Sequence, residues 1–86
     1  MTMNDNEFKK WMTESDDKFR YMMLGRMLAD CRYFLGYGLR STKNLWALDV
    51  DKHLRFMDII YGMIDQPDWL TVTEFNAIKS AMTTEA

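Results

Sequence analysis

The chain has 86 residues, a formal net charge of −2 and 48% hydrophobic residues, a composition typical of a single globular domain. Its one cysteine excludes an internal disulfide framework, and the acidic balance disfavours a generally basic nucleic-acid-binding surface. The polar, acidic start lacks a secretory signal, and no apolar run reaches the length of about 20 residues that a membrane helix needs. We therefore expect a cytoplasmic protein with a reduced thiol and no membrane contact.

The charge is divided unevenly among three segments. Residues 1–18 sum to −2, residues 19–46 to +4 and residues 47–86 to −4. A domain polarised in this way favours charged partners, because its field steers their approach.

Apolar residues recur at helical spacing along the chain, and strand-like alternation is absent. The predicted fold is all-α, a compact bundle of three main helices plus a short N-terminal helix. The N-terminal helix is expected from Asn4 to Thr13, because Asn4 and Glu7 form a capping box. Residues 1–86 are expected to form a single domain, with an N-terminal helix or arm at 1–18 and a core at 19–82.

The three main helices have recognisable starts and stops. Ser15 is predicted to cap the second helix at 16–35, and Gly36 to end it in the left-handed conformation. Asp49 is expected to cap the third helix at 50–63. The last helix follows a turn at the single proline and begins with the capping box at 71–74.

The connector at 39–48 contains Trp46, which we expect to fold back over the core. Asp30 stands in an otherwise basic stretch near the end of the second helix. We predict that it holds the connector to that helix, by pairing with Arg26 or Arg40 or by accepting from the Trp46 indole N–H.

Four segments form a distinctive pattern. They are LADCRYFLGYG at 28–38, KNLWA at 43–47, His53, and PDWLT at 67–71. This pattern resembles the large polyvalent protein-associated domains, small modules of phages, plasmids and conjugative elements of bacteria, and the resemblance covers about residues 19–82. It implies a setting inside large mobile-element proteins, beside anti-restriction and other counter-defence activities, and assigns no catalytic residue. With Met1 shortly before the domain, the chain is also similar to small stand-alone phage inhibitors, including anti-CRISPR proteins.

Cys31 and His53, with Asp30 as an orienting acid, are the residues from which nucleophilic catalysis could be built. Both lie on predicted core faces, where a cysteine is usually an inert small hydrophobe and a histidine satisfies a local hydrogen bond. One cysteine and one histidine do not match the spacing of a zinc site, and residues 49–51 lack the remainder of a calcium loop. We therefore expect no enzymatic activity, no cofactor and no metal.

The resemblance and the many methionines together favour a protein-binding factor that blocks a host defence protein, such as a CRISPR effector or a restriction enzyme, by covering its surface. The apolar residues that lie off the main helix faces are Met22, Phe56, Ile59 and Met63. The predicted contact residues are Tyr37, Arg40, Trp46, Phe56 and Met63.

Two alternatives remain open. The basic segment could bind nucleic acid through phosphate contacts, and its candidate residues are Arg26, Arg32, Arg40 and Lys43. The chain could also form a homodimer through Gly25 and Ala29, which lie one helical turn apart and would let a second helix approach closely.

Overall fold

The fold is built from helices. The computed structural model describes residues 3–84, and within this range the chain forms α1 (Asp5–Glu14), α2 (Asp17–Leu35), α3 (Val50–Tyr61) and α4 (Val72–Thr83), with a short 3-10 helix at Thr42–Asn44 and no strand. The prediction of an all-α fold is confirmed. None of these helices combines the length and the apolar character that a membrane span requires.

The starts of three helices follow the predicted capping residues. The side chain of Asn4 accepts from the Glu7 amide at 2.8 Å, and the Glu7 carboxylate accepts from the Asn4 amide at 2.9 Å. Thr71 and Glu74 form the same reciprocal pair at the start of α4. Asp49 caps α3 by accepting from the amide three residues later. Each cap satisfies amide groups that a helix start leaves without an intrahelical partner.

The junction between α1 and α2 differs from the prediction. Asp16, rather than Ser15, caps α2, and Ser15 ends α1, where its hydroxyl donates to the Trp11 carbonyl at 2.8 Å. Arg20 of α2 donates from Nε to the Met12 carbonyl at 2.8 Å, so a side chain of one helix satisfies the end of the other. This bond fixes α1 beside the start of α2 and shifts the boundary by one residue.

The end of α2 also differs from the prediction. Gly36 ends the helix with φ −100°, outside the left-handed region. The left-handed residues are instead Leu39, Arg40 and Leu48, with φ of 54°, 56° and 60°. Glycine is required at position 38, because an added Cβ would lie only 2.7 Å from the amide nitrogen of the Asn44 side chain. The chain reverses directly after this glycine, at the left-handed residues Leu39 and Arg40. The left-handed conformation costs a non-glycine residue roughly 1–2 kcal/mol.

Helix α3 is the centre of the packing. It contacts α1, α2 and α4, and α2 also contacts α4. The Phe8 ring of α1 stacks on the Phe56 ring of α3, with centroids 4.1 Å apart and planes 8° apart. Three more rings are joined to this pair, Trp11 and Trp46 directly and Phe19 through Trp11. We call the five residues the aromatic cluster: Phe8, Trp11, Phe19, Trp46 and Phe56. The cluster holds α1 and the connector against α3.

The described part of the chain is flat. Its Cα atoms extend over 37 × 32 × 17 Å, and the smallest dimension corresponds to about two layers of helices, because packed helix axes lie about 8–10 Å apart. In so thin a domain, each long helix keeps one side in contact with solvent.

Asp30 holds the connector to α2, as predicted, but through a different atom. Its carboxylate accepts from the backbone N–H of Trp46 at 3.1 Å. This bond joins the C-terminal part of α2 to the residue that enters the aromatic cluster.

We expect Asp30→Ala to lower the free energy of unfolding by about 1 kcal/mol, because it leaves a partly buried amide without its acceptor. Asp30→Asn keeps an acceptor oxygen at the same place and serves as the matched control, with a smaller loss. Urea unfolding of the three proteins checks this prediction, and equal midpoints for the wild type and Asp30→Ala would contradict it.

Candidate functional site

The predicted contact residues do not form one surface. Phe56 has no exposed surface, because α1 covers it, so its prediction as a contact residue is corrected. Trp46, Met63 and Ile59 are half-buried and pack against the core. Among the predicted contact residues, Tyr37 is strongly exposed, at 88%.

Arg40 has a structural role in this fold. Its Nη2 atom donates to the carbonyl oxygens of Ala81 and Met82 at 3.2 Å and of Thr84 at 2.7 Å. The guanidinium carbon lies 5.3 Å from the centroid of the Phe34 ring. Arg40 therefore satisfies carbonyl groups at the C-terminal end of α4, where a positive charge is also favourable to the helix dipole.

The solvent side of α2 carries a continuous exposed stripe, which we call the α2 face: Met22, Arg26, Ala29 and Tyr33. These positions are spaced by three or four residues and lie on one side of the helix. Met22 is 56% exposed and Tyr33 is 50% exposed. The exposure of Met22 agrees with its predicted place off the main apolar face. Large apolar side chains grouped at a surface are characteristic of protein-binding sites.

Trp69 extends this surface toward the start of α4. Its ring atom Cη2 lies 3.9 Å from the position of a Cβ added to Gly25, so Trp69 occupies the space that a second helix would need at Gly25. Ala29, the other predicted dimer residue, is exposed on the α2 face. Trp69 of the same chain therefore lies beside Gly25, at a distance that leaves room for a Cβ.

The candidate nucleic-acid residues are spread over different surfaces. Arg26, Arg32 and Lys43 are exposed, whereas Arg40 is engaged at the end of α4. Arg26 and Arg32 are separated by about 120° around the helix axis.

Hydrogen bonds from the N-cap threonine hold the pKa of Glu74 below its usual range, and the nearby positive charge of Arg32 adds to this lowering.

Cys31 lies inside the core and lacks the properties of a nucleophile. Burial, with a further contribution from the negative charge of Asp30, raises its pKa to about 12. The thiol donates to the sulfur of Met57 at 3.6 Å. Since the thiolate is the reactive form, this thiol is inert near neutral pH. Within residues 3–84, no three side chains of His, Cys, Asp or Glu are grouped so as to hold a metal ion.

His53 is also completely buried, on α3. Its Nε2 atom lies 2.9 Å from the Met27 carbonyl, which can only accept, so Nε2 carries the proton. The Nδ1 atom has no hydrogen-bond partner among residues 3–84. Burial lowers the pKa of His53 below its ordinary value, although the Met27 bond and the charge of Asp30 act in the opposite direction. The ring is therefore neutral and joins α3 to α2.

The sequence interpretation missed two exposed residues, Leu39 and Trp69. Leu39 is 90% exposed. No local pattern indicated either one, because the exposure of Leu39 follows from the course of the turn after α2, and Trp69 is placed by its contact at Gly25.

We expect Gly25→Ala to raise the free energy of unfolding by up to about 1 kcal/mol, because alanine favours the helix and its methyl group meets only an ordinary contact. Urea unfolding measures this gain. A lower urea midpoint for Gly25→Ala would contradict this prediction. A dimer of the wild type that the variant loses, measured by sedimentation, would favour the homodimer through Gly25 and Ala29.

The pKa of His53 predicts a specific dependence of stability on pH. In the unfolded chain the ring takes up a proton below its ordinary pKa of 6.5, whereas the folded chain, with its lowered pKa, resists protonation until a lower pH. Stability due to this group is therefore present above about pH 6.5 and is lost as the pH falls, with a limiting slope of about 1.4 kcal/mol per pH unit.

Urea unfolding between about pH 7.5 and about pH 5.5 tests the slope. The control is His53→Gln, which can donate to the Met27 carbonyl but does not titrate. An equal pH dependence in both proteins would refute the role of His53.

Comparison with known proteins places the chain in a family. A search of curated proteins and a search of solved structures found no significant match. A family model described as large polyvalent protein-associated domain 11 matches residues 17–82, which include α2, α3 and most of α4. This range contains the four segments that carried the resemblance. The chain belongs to the large polyvalent protein-associated domain 11 family.

Proposed function

We propose that the domain is a protein-binding accessory factor of a mobile genetic element, without enzymatic activity, that acts in the cytoplasm of the bacterial host. Its partner is a host defence protein, a CRISPR effector or a restriction enzyme, and binding inhibits that protein by covering its surface. Membership of the family supports the mobile-element setting.

The α2 face is the observation that carries this proposal. Met22 and Tyr33 each expose at least half of their side-chain surface, and Trp69, which is 43% exposed, adds an aromatic ring beside the same helix. Methionine and aromatic residues are enriched at protein interfaces, where they contribute large contact areas and adapt to a partner. Arg26 supplies a charge within this apolar surface, and arginine is also enriched at interfaces.

Nucleic-acid binding is the second candidate function. Its support is the exposure of Arg26, Arg32 and Lys43, with the exposed rings of Tyr33 and Tyr37 on the same part of the chain. Such binding would depend on phosphate contacts and would weaken steeply with salt, whereas an apolar protein interface would not.

Capture from a nuclease-treated bacterial lysate tests the protein-binding proposal. The tagged domain is washed at low and at high salt, and retained proteins are identified by mass spectrometry. We expect one stoichiometric defence protein that survives both treatments and whose purified activity falls when the domain is added. The double variant Met22→Ser/Tyr33→Ser should weaken its binding by at least about tenfold, because exposed side chains at the centre of an interface contribute most of its affinity.

Leu48→Asn is the matched control, because Leu48 is 54% exposed, close to the exposure of Met22, but is the last residue of the connector rather than a residue of α2. Equal binding by the double variant and the wild type would contradict the assignment of the α2 face. Capture that disappears with nuclease or salt would instead favour the nucleic-acid candidate.

A further inference from the structure

The segment that follows α2, residues 36–41, exposes two large apolar side chains almost completely. Tyr37 is 88% exposed and Leu39 is 90% exposed, more than the other exposed large apolar residues that the structure describes. We call this segment the 36–41 loop. It continues directly from the end of the α2 face at Tyr33, because the Gly38 amide donates to the Tyr33 carbonyl at 2.7 Å.

The 36–41 loop is held in place although its side chains are exposed. The Asn44 side chain donates to the Gly38 carbonyl at 3.2 Å, and the Arg40 amide donates to the Phe34 carbonyl at 3.1 Å. The side chain of Arg40 is bonded in turn to the end of α4. A loop fixed on both sides of Leu39 loses little conformational freedom on binding, and such preorganisation favours affinity.

The backbone at Leu39 gives an independent indication. Its φ of 54° lies in the left-handed region, where asparagine or glycine fits better than leucine. A side chain that is 90% exposed adds nothing to the core that would offset this strain. Leu48 is also left-handed and exposed, but Leu39 is far more exposed and has the exposed Tyr37 beside it on a fixed loop, and this combination points to a function outside the fold itself.

The charge around the loop indicates the kind of partner. Residues 31–48 contain no aspartate or glutamate. Besides Arg40, which is bonded to the end of α4, they contain the exposed basic residues Arg32 and Lys43. The ring of Tyr37 suits a nucleic-acid base or a protein, whereas Leu39, the most exposed apolar side chain, has no aromatic face for a base and favours a protein. The loop therefore matches an apolar pocket in a protein whose rim is acidic.

We propose that the 36–41 loop is the anchor of the binding surface, with Tyr37 and Leu39 inserted in an apolar, acid-rimmed pocket of a partner protein. This inference rests on the proposed function as a protein-binding domain and identifies the residues that dominate the interface. The α2 face then forms the adjoining, broader part of the contact.

A random peptide library displayed on phage provides a defined probe. Peptides are selected on the wild-type domain, synthesised with a fluorescent label, and titrated against variants by fluorescence polarisation. We expect peptides that combine apolar residues with Asp or Glu, and an affinity at least about tenfold lower for Leu39→Asn, since anchor residues carry most of the binding energy. Leu48→Asn is the control, because Leu48 is also an exposed leucine in the left-handed region, at φ 60°, and should bind like the wild type.

Leu39→Asn should not lower the melting temperature, because asparagine tolerates the left-handed conformation. Tyr37→Ser is a second variant that leaves the left-handed residue unchanged, and it should lose affinity as well. Peptides that bind all variants equally would overturn the inference. Peptide binding that is lost only in Met22→Ser/Tyr33→Ser would overturn the inference and leave the proposed protein binding intact. A domain that selects no peptide but binds labelled oligothymidine in a salt-sensitive way would overturn both proposals.

Discussion

The stack of Phe8 on Phe56 determines which residues this domain can expose. Phe56 lies on α3, the helix that contacts all the others, and the wide apolar arc of α3 needs cover on more than one side. Helix α1 supplies that cover, with the two rings 4.1 Å apart. A chain of 86 residues has a small core, and Phe8 and Phe56 are among the largest of its completely buried side chains. The consequence is that the proposed binding surface lies on α2 and the loop after it, away from α1.

The same cluster orders the connector and, through it, the 36–41 loop. Trp46 enters the aromatic cluster, and the Asp30 carboxylate holds the Trp46 amide against α2. On the other side, Arg40 bonds to carbonyl groups at the end of α4. The 36–41 loop therefore lies between the end of α2 and a connector that is fixed at Arg40 and at Trp46. Its position depends both on local backbone bonds, from Gly38 to Tyr33 and from Arg40 to Phe34, and on the distant bonds of the Arg40 side chain to α4.

Local features of the fold could be predicted from the sequence, and features that depend on distant contacts could not. The caps at Asn4, Asp49 and Thr71 require only residues within one turn, and all three were predicted. Ser15 and Asp16 are both good capping residues, and the choice depends on a side chain of the next helix that bonds to the end of α1. The position of Phe56 off the main helix face led to its prediction as a contact residue, and only the docking of α1 shows that it is buried.

The family match covers the proposed binding surface and most of the core, but not α1. The match begins at Asp17, where α2 begins, so α1 lies outside it although Phe8 and Met12 of α1 are fully buried. The α2 face and the 36–41 loop lie inside the matched range. Replacing Leu39 would relieve strain without removing any core contact, whereas replacing Phe8 would open a cavity against Phe56. Residues that stabilise the domain and residues proposed to bind a partner are therefore distinct, and substitutions can test the two roles separately.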